Sequence, residues 1–327
     1  MRGGHHVAAV SDATFDLAAG ECLALVGESG CGKSVLASAL LGLLPGNAQT
    51  AGTAHVTRPG HTADPTRTTD AERFGTGPLG TEPLGTELLG ADERTLARTV
   101  RGRLIGLVPQ SPAAHLTPVR TVRAQLEETL RALTPTPKRT LRAAAEQAAA
   151  RTSFPADRLD RYPHELSGGL AQRAATALAL IGDAPLLLAD EPTTGLDRAL
   201  VDRTADELRR HTDDGRALLL ITHDLAAAQR VADRVAVMYA GRIVELSDAT
   251  TFFGDPGPRH PYARGLLDAL PERAFTPVPG MPPALSDLPE GCAFAARCTR
   301  ATDVCATRPA LTDGVACHHV PAEATRA

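Results

Sequence analysis

An eight-residue stretch near the start of the chain has residue types and a spacing suited to binding phosphate. Residues 27–34 read GESGCGKS, which fits the pattern G-x-x-x-x-G-K-S, between an apolar run at 22–26 and a helix-like run at 35–41. Glycines let backbone N–H groups curl around phosphate oxygens, Lys33 can reach the outer phosphates, and the Ser34 hydroxyl can ligate Mg²⁺. The predicted phosphate-binding residues are Gly27, Glu28, Ser29, Gly30, Cys31, Gly32, Lys33 and Ser34.

Two adjacent carboxylates end a second apolar run, because residues 187–191 read LLADE. In an ATPase with a phosphate-binding loop, the first of them, Asp190, holds Mg²⁺ directly or through water. The second, Glu191, is placed to polarise the attacking water. Solvated acids at a strand end are the alternative, and the preceding loop favours the catalytic interpretation.

A second anion site is predicted at residues 166–173, which read LSGGLAQR. Ser167 is suited to cap a helix, and the two glycines after it would leave N–H groups pointing outward from the helix start. A single chain needs only one anion site for each γ-phosphate that it binds. A second anion site in the same chain therefore implies that each nucleotide lies between two subunits. A plain helix cap is the alternative.

Composition excludes several classes of protein. The chain has 327 residues, 43% of them apolar and 22% charged, with a net charge of −4, so no basic excess favours nucleic-acid binding. No apolar run approaches the length of a membrane span, and residues 1–6 lack the apolar core of a signal peptide. We therefore expect a cytoplasmic protein whose six cysteines are reduced thiols or metal ligands rather than disulfides.

The order of elements predicts an open, mostly parallel α/β sheet. Residues 104–108, 186–189 and 217–221 are short apolar runs typical of buried strands, and one or two further strands are expected in 7–17 and one near 53–57. Residues 121–150 are helical in pattern apart from two prolines, at 135 and 137.

Two segments depart from this pattern. Residues 75–90 read GTGPLGTEPLGTELLG, a repeat of five residues, and together with 58–69 they are too rich in Gly, Pro and Thr to bury a core. We expect a flexible surface insertion at about 58–90, with a partner-binding loop as the alternative. Residues 251–327 are Pro-rich, carry four cysteines, and are interpreted as a separate C-terminal extension.

Taken in order, these motifs resemble those of an ATP-binding subunit of an ABC transporter. The resemblance covers residues 7 to about 250 and rests on a fixed order of pieces: the phosphate loop, Gln110, residues 166–169, the pair Asp190–Glu191, Asp197, and His223 in the run THD. It implies a P-loop NTPase fold of the ABC type at 1–250. That fold has a mostly parallel sheet core, an antiparallel β subdomain, and a helical subdomain at about 112–182.

The resemblance also implies roles for these residues. Gln110 would contact Mg²⁺ and the attacking water while sensing a permease, His223 would hold the γ-phosphate, and Asp197 would link two subunits. Glu191, His223 and Gln110 are the expected catalytic residues, and the expected Mg²⁺ ligands are Ser34, Gln110 and Asp190. The expected contacts to nucleotide from the facing subunit are Ser167, Gly168, Gly169 and Gln172.

The C-terminal third is similar to the oligopeptide/dipeptide importer subfamily, which includes nickel importers. The pieces that carry this similarity are YAGRIVE at 239–245, HPYARGLL at 260–267 and PGMPP at 279–283. They imply an ATP- and Mg²⁺-dependent subunit that powers import of dipeptides or oligopeptides. Import of nickel or another small solute and a soluble, non-transport ABC ATPase are the alternatives.

This resemblance also implies partners and a location. A second ATPase subunit, either identical or a paralogue, would bind head to tail, alongside membrane permease subunits and, indirectly, an extracytoplasmic solute-binding protein. The chain would lie on the cytoplasmic face of the membrane as a peripheral protein.

The start of the chain departs from the family pattern. Family members usually begin with a strand whose aromatic residue stacks on adenine, whereas the first aromatic residue here is Phe15. We therefore expect the natural protein to start upstream of Met1, with His5 or His6 as the alternative stacking residue. Pro109 also replaces a usual Phe before Gln110.

Four cysteines of the extension are spaced C-x5-C-x6-C-x11-C, at Cys292, Cys298, Cys305 and Cys317. Four thiolates suit either an iron–sulfur cluster or structural Zn²⁺. Zinc sites usually pair cysteines two to four residues apart, and no such pair occurs here, so the spacing favours a [4Fe–4S] cluster over Zn²⁺. Simple buried thiols are the third interpretation, and His318 or His319 is an alternative ligand.

Overall fold

Six strands form one sheet, and two more form a short ladder beside it. The computed structural model describes residues 7–57 and 85–320. The strands are β1 (Cys22–Val26), β2 (His55–Val56), β3 (Thr86–Glu87), β4 (Ile105–Val108), β5 (Leu186–Asp190), β6 (Ala217–Thr222), β7 (Arg234–Tyr239) and β8 (Arg242–Asp248). The helices are α1 (Lys33–Leu40), α2 (Glu93–Thr95), α3 (Pro112–His115), α4 (Val122–Leu133), α5 (Leu141–Arg151), α6 (Gly168–Ala179), α7 (Arg198–Asp213), α8 (Leu225–Val231), α9 (Ala249–Phe253) and α10 (Pro261–Asp268).

The large sheet has the order β4-β5-β6-β1-β7-β8 and is parallel except for the last pair. Every residue of β1 and β6 is buried. Strands covered on both faces are apolar throughout, which explains the continuous apolar runs in the sequence. The predicted mostly parallel α/β sheet is confirmed.

A layer of helices is built from α3, α4, α5 and α6, which all lie within residues 112–182. Their apolar faces share one core that contains Leu126, Ala145, Phe154 and Ala174. Thr121 caps α4 by accepting a hydrogen bond from the Ala124 N–H. The interruption between α4 and α5 falls at the two prolines singled out in the sequence.

The strands predicted within residues 7–17 do not form. Asp12 makes one isolated bridge to Arg242, and the N–H groups of Ser11 and Asp12 both donate to the carbonyl of Gly241, at 2.8 and 3.3 Å. The segment therefore crosses the turn between β7 and β8 instead of running along a sheet edge. His5 and His6 lie outside the described residues.

The end of the predicted insertion is structured. Thr86 pairs with Val56 in the β2–β3 ladder, and Leu88 is buried in the core beneath the phosphate loop. The boundary at residue 90 was therefore wrong, because an apolar side chain and a ladder partner fix residues 86–88. Residues 58–84, with most of the five-residue repeat, lie outside the described part of the chain.

The C-terminal extension packs on the sheet instead of forming its own core. Tyr262 of α10 and Phe294 share one apolar cluster with Val26 of β1 and Tyr239 of β7. The interpretation of a separate extension missed these aromatic contacts, which join segments far apart in the sequence. Among the described helices, none is long and apolar enough to cross a membrane.

Candidate nucleotide site

The predicted catalytic motifs meet at one edge of the sheet. The phosphate loop follows β1, the pair Asp190–Glu191 ends β5, and His223 follows β6. These three strands are neighbours and parallel, so their carboxyl ends reach the same edge, where ligands bind in open α/β sheets.

Two glycines of the loop are required by close backbone contacts. Gly27 has φ of 153°, and a Cβ there would lie 2.2 Å from the carbonyl oxygen of Met238. Gly32 has φ of 110°, and a Cβ there would lie 2.2 Å from the carbonyl oxygen of Ala9. Both contacts exclude any side chain, so the loop is seated against the ends of neighbouring segments.

Lys33 opens α1 and its ammonium group is folded over the loop. Its Nζ donates to the carbonyl of Gly27 at 2.7 Å and to that of Glu28 at 3.1 Å. The side chain is buried, so its charge acts on the loop at low local dielectric. The structure thus combines a cation, a helix start and a curled backbone, which together form an anion site.

Asp190 is buried beside this cation, and burial raises the pKa of its carboxyl. A hydrogen bond from the Ser34 side chain and the charge of Lys33 act in the opposite direction. Its Oδ1 is buried and has no hydrogen-bond partner among the described residues. An unpartnered carboxylate oxygen next to a serine hydroxyl provides hard oxygen ligands suited to a divalent cation.

Glu191 and His223 form a pair across two strand ends. His223 Nδ1 lies 2.7 Å from Glu191 Oε2. Glu191 is only 7% exposed, whereas the His223 side chain is 66% exposed. Glu191 also has φ of 50°, a left-handed conformation that non-glycine residues rarely adopt, which marks a functional constraint.

Gln110 follows β4 and is exposed. Among the described residues, no hydrogen bond joins its side chain to the loop or to the carboxylates, so the structure leaves it free at the surface near α3.

The segment at 166–169 lies at an exposed helix start. Ser167 caps α6 by accepting a hydrogen bond from the Leu170 N–H at 3.3 Å, as predicted. A Cβ on Gly169 would lie 3.4 Å from Leu196 Cδ2, so this turn touches the loop that ends at Asp197. Asp197 is exposed and caps α7.

Gln172 does not share this exposure. Its side chain is 2% exposed inside α6, and its Nε2 has no partner among the described residues. The prediction that Gln172 contacts nucleotide is therefore not supported, because the helix turns that position inward.

Sequence reasoning missed two partners of the phosphate loop. Glu28 is held by Arg297 and Tyr262, which both belong to the extension. Tyr262 belongs to the run HPYARGLL, which resembles the importer subfamily but does not predict a contact with Glu28. Arg297 lies between two cysteines, and no local pattern could predict its contact with Glu28, since 269 positions separate the two residues.

The four cysteines of the extension lie near one another. Cys292 donates its N–H to the carbonyl of Cys305 at 2.9 Å, and His319 Nε2 lies 3.5 Å from Cys305 Sγ. Burial raises the pKa of the Cys292 thiol, and the thiols of Cys305, Cys317 and Cys298 add to the effect. Even so, no group of three or more His, Cys, Asp or Glu within residues 7–57 and 85–320 is arranged to hold a metal ion, so the predicted metal site is not confirmed.

Comparisons with known proteins agree with this geometry. A profile of the family described as ABC transporter matches residues 10–194, and one described as oligopeptide/dipeptide transporter, C-terminal region, matches residues 244–305. The dipeptide transport ATP-binding protein DppD of Bacillus subtilis is 38% identical over 315 residues, covering 92% of this chain and 84% of that protein. The oligopeptide transport ATP-binding protein OppD of Haemophilus influenzae is 37% identical, covering 94% of this chain and 88% of that protein.

Solved structures show the same fold. A dimeric, post-hydrolysis structure of the ATP-binding cassette MJ0796, bound to ADP and Pi, superposes with a TM-score of 0.59. It is 21% identical and covers 74% of this chain and 90% of that chain.

The fold and the site define an ATP-binding protein of the P-loop NTPase class. The chain belongs to the ABC transporter family. The predictions of this family and of an ATPase are thereby confirmed.

Proposed function

We propose that this chain is the ATP-hydrolysing subunit of an importer for dipeptides or oligopeptides. One observation carries the proposal: the match to the peptide-transporter C-terminal region at 244–305 follows the ATPase match in the same chain. Relatives whose names specify peptide, dipeptide or oligopeptide transport extend over most of the chain.

Lys33 and the N–H groups of residues 27–34 bind the phosphates of ATP, and Ser34, Asp190 and Gln110 hold Mg²⁺. The buried, unpartnered Oδ1 of Asp190 supports this assignment. Mg²⁺ held by these residues would supply positive charge to offset the negative charge on the transferring phosphoryl group. Glu191 would accept a proton from the attacking water, and His223, which is bonded to Glu191, would contact the γ-phosphate.

A second ATPase subunit completes each site. Ser167, Gly168 and Gly169 are directed outward from the start of α6, and the Leu196 contact ties them to the Asp197 loop. In a head-to-tail dimer these N–H groups would contact the nucleotide bound to the facing subunit. The facing subunit is either a second copy or a paralogue, and the dimeric state of two structural neighbours supports a dimer here.

Membrane permease subunits bind beside the helical layer. A groove of about 820 Å³ lies there, lined by Val119 and Tyr162 among others, and Val119 is 79% exposed. An exposed apolar side chain at a groove is a common feature of protein contacts. The groove includes Pro118 and Val119, which follow α3, and α3 begins two positions after Gln110, so a permease in the groove would bind the segment that continues the chain from Gln110. The chain would then act at the cytoplasmic face of the membrane, coupled indirectly to a solute-binding protein.

We retain the metal hypothesis for the extension as a separate proposal. The neighbouring thiols of Cys292, Cys298, Cys305 and Cys317 support it, and the favoured occupant is a [4Fe–4S] cluster with Zn²⁺ as the alternative. Anaerobic purification, absorbance near 400 nm and metal analysis test it. Folded protein without iron or zinc would reject it.

The test of the main proposal is capture of the assembled complex. A tag on this chain is used to purify complexes from membranes, which are then reconstituted in vesicles with a solute-binding protein. We expect ATP-dependent uptake of a labelled dipeptide. Uptake of Ni²⁺ instead would establish the nickel alternative, and recovery without any membrane subunit would favour a soluble ABC ATPase.

A further inference from the structure

The carboxylate of Glu28 is held by an arginine from the far end of the chain. Arg297 Nη1 donates to Glu28 Oε2 at 2.8 Å, and Nη2 donates to Oε1 at 2.9 Å. Two parallel bonds fix the orientation of both groups, unlike a single contact between point charges. Glu28 is the residue after Gly27, so this pair of parallel bonds, the Arg297–Glu28 fork, holds the phosphate loop at its first turn.

Arg297 itself is buried and bonded on every side. Its side chain is 4% exposed, and its guanidinium carbon lies 5.7 Å from the ring centres of Tyr239 and Phe294. The other donor contacts run from Nε to Pro279 O at 2.7 Å, from Nη1 to Tyr239 Oη at 3.3 Å, and from Nη2 to Val278 O at 3.4 Å. All five N–H groups of the guanidinium thus have acceptors.

The backbone of Glu28 is held as firmly as its side chain. Its N–H donates to Tyr262 Oη at 2.8 Å, and its carbonyl accepts from Lys33 Nζ at 3.1 Å. Tyr262 is fully buried, and burial raises the pKa of its phenol, so the hydroxyl stays neutral. One loop residue is therefore fixed at its amide, its carbonyl and its carboxylate.

We propose that Arg297 is a positioning residue for ATP binding, acting through Glu28. Arg297 and Tyr262 hold the first turn of the loop in the arrangement that receives phosphate, so ATP affinity depends on the folded extension. The inference rests on the proposed binding of ATP at this loop. It assigns the extension a role within the ATPase itself.

The experiment measures MgATP binding to the full-length chain by calorimetry. We expect Arg297→Gln to raise the Kd about tenfold, a loss of about 1.4 kcal/mol of binding free energy. Without the fork, the phosphate loop would have to be ordered when ATP binds, and this ordering opposes binding. We expect Glu28→Gln to raise it similarly, and Arg297→Gln to add little in the Glu28→Gln background, since both act through one contact.

Arg123→Gln is the matched control. Arg123 is also buried and also binds a carboxylate in a fork, with its Nε 2.7 Å from Asp160 Oδ1 and its Nη2 3.2 Å from Asp160 Oδ2, but it lies in the helical layer. We expect Arg123→Gln to lower the unfolding temperature as much as Arg297→Gln does, yet to leave the Kd for MgATP unchanged.

Two milder variants keep the test decisive if Arg297→Gln does not fold. Arg297→Lys retains the charge without the fork, and Tyr262→Phe removes only the acceptor of the Glu28 N–H. Each should raise the Kd by about threefold or more, within the range of one lost hydrogen bond. Kd values within twofold of the parent for both variants would overturn the inference, whereas a parent that binds no ATP would instead reject the proposed function.

Discussion

Glu191 Oε2 accepts a hydrogen bond from His223 Nδ1 at 2.7 Å, which ties the end of β5 to the turn after β6. The two residues lie 32 positions apart, and neither could reach the other without the parallel pairing of those strands. The His223 side chain is exposed and the Glu191 side chain is buried, so the pair extends from the interior at the end of the sheet to the solvent-accessible side of the nucleotide site.

Glu191→Gln is expected to slow ATP hydrolysis at least about a hundredfold while ATP binding persists, in the range for a lost general base. Single-turnover hydrolysis and calorimetric binding check this in the assembled complex. Lys33→Ala is the comparison, because it removes the cation at the loop and should weaken binding itself. Hydrolysis by Glu191→Gln at the parent rate would show that the carboxylate does not act on water.

Asp190→Asn is expected to stabilise the nucleotide-free chain and to abolish its stabilisation by MgATP. Burial raises the folded-state pKa of Asp190, so the folded chain binds more protons than the unfolded chain between the two pKa values, and the free energy of unfolding falls as pH rises through that window. At neutral pH the charge therefore costs stability, which the amide removes. Thermal unfolding with and without MgATP measures both effects, and exposed Asp183→Asn should change neither.

Gly168→Asp is expected to leave the fold and the ATP affinity of one chain intact but to block hydrolysis. No atom lies within 4 Å of a Cβ built at Gly168, so the side chain fits in the isolated chain. A carboxylate at this helix start would repel phosphate bound by a facing subunit. Binding and hydrolysis assays on the same preparation separate the two effects, and full hydrolysis would argue against a site shared between subunits.

The stability of the chain is expected to fall as pH drops from about 6.5 to about 4. Burial lowers the pKa of His260 to about 4, and burial is also the largest cause lowering the pKa of His211 to about 4. Both stay neutral in the fold while they gain a proton on unfolding, so acid favours the unfolded chain.

His260→Asn should reduce this acid loss by on the order of 3 kcal/mol. The variant keeps an acceptor for the Tyr262 N–H, which now donates to His260 Nδ1 at 3.1 Å. Denaturant unfolding at several pH values gives the slope, and exposed His164→Asn serves as the control. An unchanged slope in His260→Asn would contradict the assignment.

Replacing residues 58–84 by a short Gly-Ser turn is expected to leave the unfolding temperature and ATP affinity nearly unchanged. Val56 and Thr86 are paired, so a tight turn can join the strands, and loop length has a small entropic effect. Gly85 is kept because its φ is 134° and a Cβ there would lie 2.8 Å from Val56 O. A large loss of stability would show that the five-residue repeat packs against the folded domain.

Local chemistry in the sequence predicted much of the site. Some features are defined by a few neighbouring residues and can therefore be recognised from the sequence alone. They are the glycines and Lys33 of the loop, the acids at the end of β5, and the cap at Ser167. Their common edge followed from the rule that parallel strands end together.

The remainder depended on contacts between distant segments. Residues 7–17 have strand-like composition, yet the N–H groups of Ser11 and Asp12 donate to Gly241, a partner that the local pattern does not reveal. Gln172 lies one turn from exposed Gly168, and only the packing of α6 shows that it faces inward. The Arg297–Glu28 fork joins the first tenth of the chain to the last, beyond any local signal.

The central position of β1 has a consequence for biosynthesis. Among the described strands the ribosome makes β1 first, but its neighbours in the sheet are β6 and β7, which end at Thr222 and Tyr239. The fork on Glu28 arrives later still, with Arg297. The apolar strand β1, which is buried in the folded chain, thus stays unpaired through most of translation. Exposed apolar strands are prone to aggregate during that period. The nascent chain therefore lacks the sheet partners of residues 22–26 until β6 and β7 emerge.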